Sequence, residues 1–95
     1  MRIGKVLIKL RFYSPATLKE KRALLKGLTT RVKREFNVSI AEVGALDDRR
    51  RAELGAAMVS NDGELNRRVL AKVVELLERE GRPEVFVEGY EIEIL

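Results

Sequence analysis

Residues 38–60 read VSIAEVGALDDRRRAELGAAMVS, and the reading of this stretch decides the fold. Val38 to Val43 is a short β-branched run, and Gly44 to about Arg50 is a polar turn. Arg51 through Ser60 then alternates, with Leu54, Ala56 and Met58 on one side and Gly55, Ala57 and Val59 on the other. Two such runs joined by a polar loop close most simply as an antiparallel hairpin.

A helix flanks the hairpin on each side. Upstream, Thr17-Leu18-Lys19-Glu20 is a capping box: the Thr17 hydroxyl can accept from an orphan N–H, and Glu20 can reach back to the cap residue. The helix it opens runs to about Phe36, with Leu18, Leu25, Leu28, Val32 and Phe36 on one stripe. Gly27 lies away from that stripe and costs about 1 kcal/mol relative to Ala; the sequence offers no reason for it. Downstream, Asn61-Asp62-Gly63-Glu64 offers a second capping box, with Ser60 as the alternative cap. That helix runs from about Asp62 to Glu80 with Leu65, Val69, Val73, Leu76 and Leu77 as its stripe, and Gly81 with Pro83 stops it.

The two ends of the chain are extended. Residues 2–12 place Gly4, Val6, Ile8, Leu10 and Phe12 on one side and Ile3, Lys5, Leu7, Lys9 and Arg11 on the other, until Ser14-Pro15-Ala16 ends the strand. Val85 to Leu95 alternates in turn, in one piece or in two around Gly89. The order β-α-β-β-α-β with two one-faced helices predicts an α+β, ferredoxin-like sandwich: a four-stranded antiparallel sheet with both helices on one face, formed by residues 1–95 as a single domain. In that topology the first strand neighbours the last, so Lys5 and Lys9 are expected to meet Glu91 and Glu93.

Composition narrows the chemistry. The chain has 95 residues, 45% of them apolar, enough for one modest core. It contains no Cys and no His, which removes disulfides, a thiolate nucleophile, a zinc knuckle and an imidazole base. No apolar run approaches the ~20 residues of a membrane span, and charges interrupt any leader-like segment at the N-terminus, so a cytoplasmic protein with no membrane, metal or cofactor is expected. Ser14, Ser39 and Ser60 lack a nucleophile-elbow context, and no phosphate-binding glycine loop is present. Glu42 and Glu53 could face each other across the hairpin as paired carboxylates; otherwise they meet Arg50, Arg51 or solvent. The balance of features is against an enzyme.

Charge is divided along the chain. Residues 1–51 carry 14 Lys and Arg against 5 Asp and Glu, and residues 52–95 carry 5 against 10. On the first helix Lys19, Arg22, Lys26, Lys33 and Arg34 fall within a sector of about 120° that holds no acid. Lys19, Lys21 and Arg22 also stand in the first turns, where the helix dipole disfavours cations and a bound anion would offset them. The stripe reads either as a phosphate-contacting face or as a solvated one. Arg49, Arg50 and Arg51 form a second basic cluster, with Asp47, Asp48 and Glu53 close enough to neutralise it locally. The aromatics supply no base-stacking motif. On the sheet face away from the helices, Ile3, Leu7 and Ala57 would form an apolar patch, and a homodimer would bury it; a partner protein or an ordinary surface are the other readings.

Four stretches carry a resemblance: Leu18-Lys19-Glu20-Lys21-Arg22, Phe36 through Gly44, Arg51-Ala52-Glu53-Leu54-Gly55, and Ser60-Asn61-Asp62. In this order, and over essentially the whole chain, they resemble the YlxP-like family of small bacterial proteins of uncharacterised function. The resemblance implies a ferredoxin-like fold in a cytoplasmic protein. Genes of the family commonly lie beside those for a translation initiation factor and a ribosome-binding factor, which implies a ribosomal subunit or structured RNA as partner. Family members often carry a His and an aromatic in the hairpin turn, where this chain has Ala45 and Arg49. A mechanism resting on imidazole or stacking in that turn is therefore not expected here.

Overall fold

The computed structural model describes residues 1–15 and 17–95; the strand-ending role read for Ala16 lies outside the described residues. The elements are β1 (Arg2–Phe12), α1 (Leu18–Glu35), β2 (Ser39–Gly44), β3 (Arg51–Ser60), α2 (Gly63–Gly81) and β4 (Val85–Ile94). All neighbouring strands are antiparallel, in the order β2-β3-β1-β4, and both helices pack on one face. This is the ferredoxin-like arrangement that the hairpin reading implies.

Alternation in the strands sets the core. Val6, Ile8, Leu10 and Phe12 of β1, Ala52, Leu54 and Ala56 of β3, and Ile40 of β2 point to the helices and are buried. They pack with Leu25, Leu28 and Val32 of α1 and with Leu70, Val73, Val74, Leu76 and Leu77 of α2. The Thr17 cap forms, its hydroxyl accepting from Glu20 N at 3.2 Å.

The start of α2 departs from expectation. Asp62 is its cap, accepting from Glu64 N at 3.0 Å and Leu65 N at 3.4 Å, so Asn61 and Glu64 do not form a capping box. The buried face is also rotated from the stripe read in the sequence. Leu65 is 38% exposed and Val69 is half-buried, while Asn66 and Leu70 face the sheet. Two causes are visible. Gly4 lets the helix approach β1 so closely that a Cβ there would stand 2.9 Å from Asn66 Cβ and 3.0 Å from Leu70 Cδ1. Asn66 also finds partners inside: its amide donates to Arg2 O at 3.2 Å, and Ser60 Oγ donates to Asn66 Oδ1 at 2.6 Å.

The expected lysine–glutamate ladder is half formed. Lys5 faces Glu93, with Nζ 3.9 Å from Oε1, but Leu7 faces Glu91 and Lys9 faces Gly89. The lysines are four residues apart and the glutamates two, so one antiparallel register cannot pair both directly. Opposite Lys9 on β3 is Glu53. β4 is one strand with a bulge, because the register skips Glu88 between Lys9–Gly89 and Leu10–Val87.

Candidate nucleic-acid interface

Lys21 is the residue that organises the basic end of the molecule. It occupies a position on the inward stripe of α1, between Leu18 and Leu25, and its side chain is 0% exposed. Nζ donates to Ala45 O at 2.8 Å and to Asp48 O at 2.6 Å, and it stands 3.1 Å from Glu42 Oε2. That carboxylate oxygen is buried and accepts no well-directed hydrogen bond, so its link to Lys21 is a charge contact. Two carbonyls accept two of the three N–H groups of the buried ammonium, and the carboxylate balances its charge. The sequence reading counted Lys21 among the cations exposed to an anion; the structure makes it an internal strut.

The strut fastens the β2–β3 turn to the first turns of α1. Ala45 is held there with φ 56°, and Asp48 N donates back to Ala45 O at 3.1 Å. Asp48 Oδ1 accepts from Arg50 N at 2.8 Å, and Arg50 O accepts from Phe12 N at 2.7 Å. The Glu53 carboxylate lies over Gly44, in the space that a Cβ there would take. Glu42 and Glu53 therefore do not form a carboxylate pair. Glu42 turns to the helix side and Lys21, whereas Glu53 lies on the opposite face.

Against this frame, Lys19, Arg22, Lys26, Lys33 and Arg34 are all exposed along α1. None of the five has an ion-pair partner among the described residues, whereas Arg31, also on α1, pairs with Glu80 at 2.6 Å. Arg22 and Lys26 border a hollow of about 200 Å³ against Ala41 and Glu42 of β2. Arg49 and Arg50 are exposed in the turn. In the turn Asp48 Oδ1 accepts from the Arg50 backbone N–H, and neither the Arg50 nor the Arg51 guanidinium has an ion pair among the described residues.

The open sheet face gathers Ile3, Leu7 and Ala57 as expected. Ile3 and Leu7 are 36% and 37% exposed, and Ala57 sits opposite Lys5 between them. A shallow trough of about 420 Å³ runs here, with Leu7, Ala41, Val43, Gly55 and Ala57 as its apolar floor and Lys5, Glu91 and Glu93 along one side. Val43 covers Gly55, whose Cβ would meet Val43 Cγ1 at 3.2 Å. At the turn end of the same face lies a group that sequence reasoning passed over. Tyr13 and Phe86 meet edge to face, with ring centroids 5.1 Å apart, and the Arg11 and Arg82 guanidinium groups lie 5.7 Å and 5.0 Å from the Tyr13 and Phe86 ring centres. The residues of this group are up to 75 positions apart, and no local spacing announces them.

With this architecture in view, the chain belongs to the family described as "Protein of unknown function (DUF503)", which it matches over residues 3–88. It is similar to the uncharacterized protein YlxP of Bacillus subtilis (strain 168), with 41% identity over 66 residues, 70% of this chain and 72% of that protein. Among solved structures it is similar to a de novo designed ferredoxin-fold protein (TM-score 0.59, 19% identity, 100% of this chain and 84% of that one). It is also similar to a Chloroflexus aurantiacus J-10-fl protein provisionally assigned as an antibiotic biosynthesis monooxygenase (TM-score 0.61, 14% identity, 98% of this chain and 92% of that one). At such identities the likeness is one of fold. Among the described residues, no helix is long and apolar enough to cross a membrane.

Proposed function

We propose that this is a non-enzymatic, cytoplasmic accessory protein that binds structured RNA, in the setting of a ribosomal subunit, through the outer face of α1. The observation that carries this reading is the row of exposed cations Lys19, Arg22, Lys26, Lys33 and Arg34, none with an acid partner among the described residues. From Lys19 to Lys33 the row extends about 21 Å along the helix, enough to follow several phosphates of a backbone. Arg49 and Arg50 extend the row onto the turn that Lys21 ties to α1. Cations on a rigid helix have fixed spacing, which favours a folded RNA surface over a flexible one.

Binding of the purified protein to ribosomal subunits and to a structured RNA, repeated across a salt series, tests the proposal. Four phosphate contacts correspond to about a hundredfold loss of affinity between 50 and 200 mM salt. Reversing Lys19, Arg22, Lys26 and Lys33 to Glu should abolish binding while the fold persists. A folded reversal variant that binds as before would refute the proposal.

A second reading, a homodimer closed through the open sheet face, is favoured by the trough floored by Leu7, Gly55 and Ala57. It is compatible with RNA binding, because α1 lies on the other side of the sheet.

A further inference from the structure

The turn end of the open sheet face has its own charge and ring chemistry, separate from α1. Arg11 and Arg51 are directly opposite each other on neighbouring antiparallel strands, both on the open face. Like charges in that position repel. Arg51 has no ion pair among the described residues, and Arg11 is only partly balanced, by Glu88 at 3.4 Å, with both side chains about one-third exposed. Glu53, the nearest acid along β3, has its carboxylate against Gly44. Phe86 completes the row as the β4 partner of Arg11, and Tyr13, two residues beyond Arg11, is 62% exposed. In the adjoining row Gly89 stands opposite Lys9, and a Cβ added to Gly89 would meet nothing within 4 Å, so the surface beside the rings is clear.

We propose that this end of the sheet binds single-stranded nucleic acid, with Tyr13 backed by Phe86 stacking a base and Arg11 with Arg51 holding the adjoining phosphate. An aromatic ring offers a base a π-face without regard to sequence, and guanidinium groups beside it supply the phosphate contact. A bound phosphate also offsets the part of the Arg11–Arg51 repulsion that Glu88, which pairs with Arg11 alone, leaves in place. Arg82, over the Phe86 ring, adds charge on the same side. The site goes beyond the α1 reading: its ligand is an unpaired strand with accessible bases, and none of its residues belongs to α1.

The chain has two tyrosines and no tryptophan, so in a Tyr90→Phe variant intrinsic fluorescence reports Tyr13 alone. Titration with oligo(U) and oligo(dT) of about 12 nucleotides should quench that emission saturably at low salt. Stronger quenching by oligo(U) assigns the site to RNA, and equal quenching assigns it to single strands generally; either supports the proposal. By anisotropy of labelled oligonucleotide, Tyr13→Ala should weaken binding roughly tenfold and Tyr13→Phe should preserve it. Arg11→Gln with Arg51→Gln should lower the salt slope by about one to two. The α1 charge-reversal variant should keep single-strand binding to within about threefold while losing structured RNA, which separates failure of this site from failure of the helix. No quenching, or an unchanged affinity in folded Tyr13→Ala, would overturn the proposal. So would equal displacement of the oligonucleotide by polyglutamate, which would reduce the site to a general anion patch.

Discussion

Lys21 and Asn66 are the two buried polar residues of the described core, one in each helix, and each ties its helix to the strands or turn beneath. In both cases the side chain faces the sheet because backbone carbonyls wait there: Ala45 O and Asp48 O for Lys21, Arg2 O for Asn66. A buried donor with partners costs little, and the same donor removed leaves every partner unsatisfied. Lys21→Met keeps the stem and deletes the charge. It should destabilise the protein by about 2–4 kcal/mol, read by urea unfolding, with Glu42→Gln in the same chain recovering part of the loss. Amide exchange in residues 45–50 should quicken in the single variant, because the turn loses the two bonds that hold it to α1. A loss under about 1 kcal/mol would mean that the strut is redundant with the Arg50–Phe12 backbone bond.

At the scale of the element, α1 carries two faces of unlike purpose. Its inner stripe, Lys21, Leu25, Leu28 and Val32, holds the helix to the sheet, and its outer face carries the cations of the proposed RNA interface. Gly27 belongs to neither requirement. Its surroundings are open, with no atom within 4 Å of an added Cβ, so nothing in the packing explains the glycine. Gly27→Ala should therefore stabilise the fold by about 0.5–1 kcal/mol through reduced freedom of the unfolded chain, seen as a higher denaturation midpoint at unchanged slope. A destabilised variant would show that the shallow groove beside it, bordered by Ala23, Leu24 and Arg31 of α1 and by Glu80 and Gly81 of α2, closes further in solution. α2 differs in kind, since its polar face mixes Arg67, Arg68, Lys72 and Arg79 with Glu64, Glu75 and Glu78 and reads as ordinary solvated surface.

Across the whole molecule, strand order converts the charge division of the chain into a division in space. The sheet runs β2-β3-β1-β4, with α1 against β2 at one edge and α2 against β4 toward the other. Basic α1 therefore stands at one edge, and Glu84, Glu88, Glu91 and Glu93 at or beside β4 line the other. A polyanion approaching such a molecule is steered to the α1 edge. The open face between the edges offers the apolar trough to a second copy. Leu7→Lys with Ile3→Lys should convert a dimer to a monomer in sedimentation equilibrium while leaving α1 binding to RNA intact. A wild-type protein that sediments as a monomer at high concentration would remove the dimer reading.

Much of this was legible in the sequence, wherever the deciding contact is local. Strand alternation needs residues two apart, a helix face needs three and four, and the Thr17 cap needs three; the β-hairpin, the element order and the basic face of α1 follow from these alone. Local pattern fails where a polar residue finds its partner far along the chain. Lys21 reads as one more surface cation until the 45–48 turn is folded against it, and Asn66 reads as polar face until Gly4 brings β1 close. Tyr13 and Phe86 read as strays until β1 and β4 pair. Periodicity thus determined the elements and, for the strands and α1, the faces they present, whereas the buried face of α2 is rotated by the close approach at Gly4. Only the tertiary structure decided which polar side chains go inside and which distant ones meet, because those choices depend on strand register and backbone carbonyls that exist together only in the folded sheet.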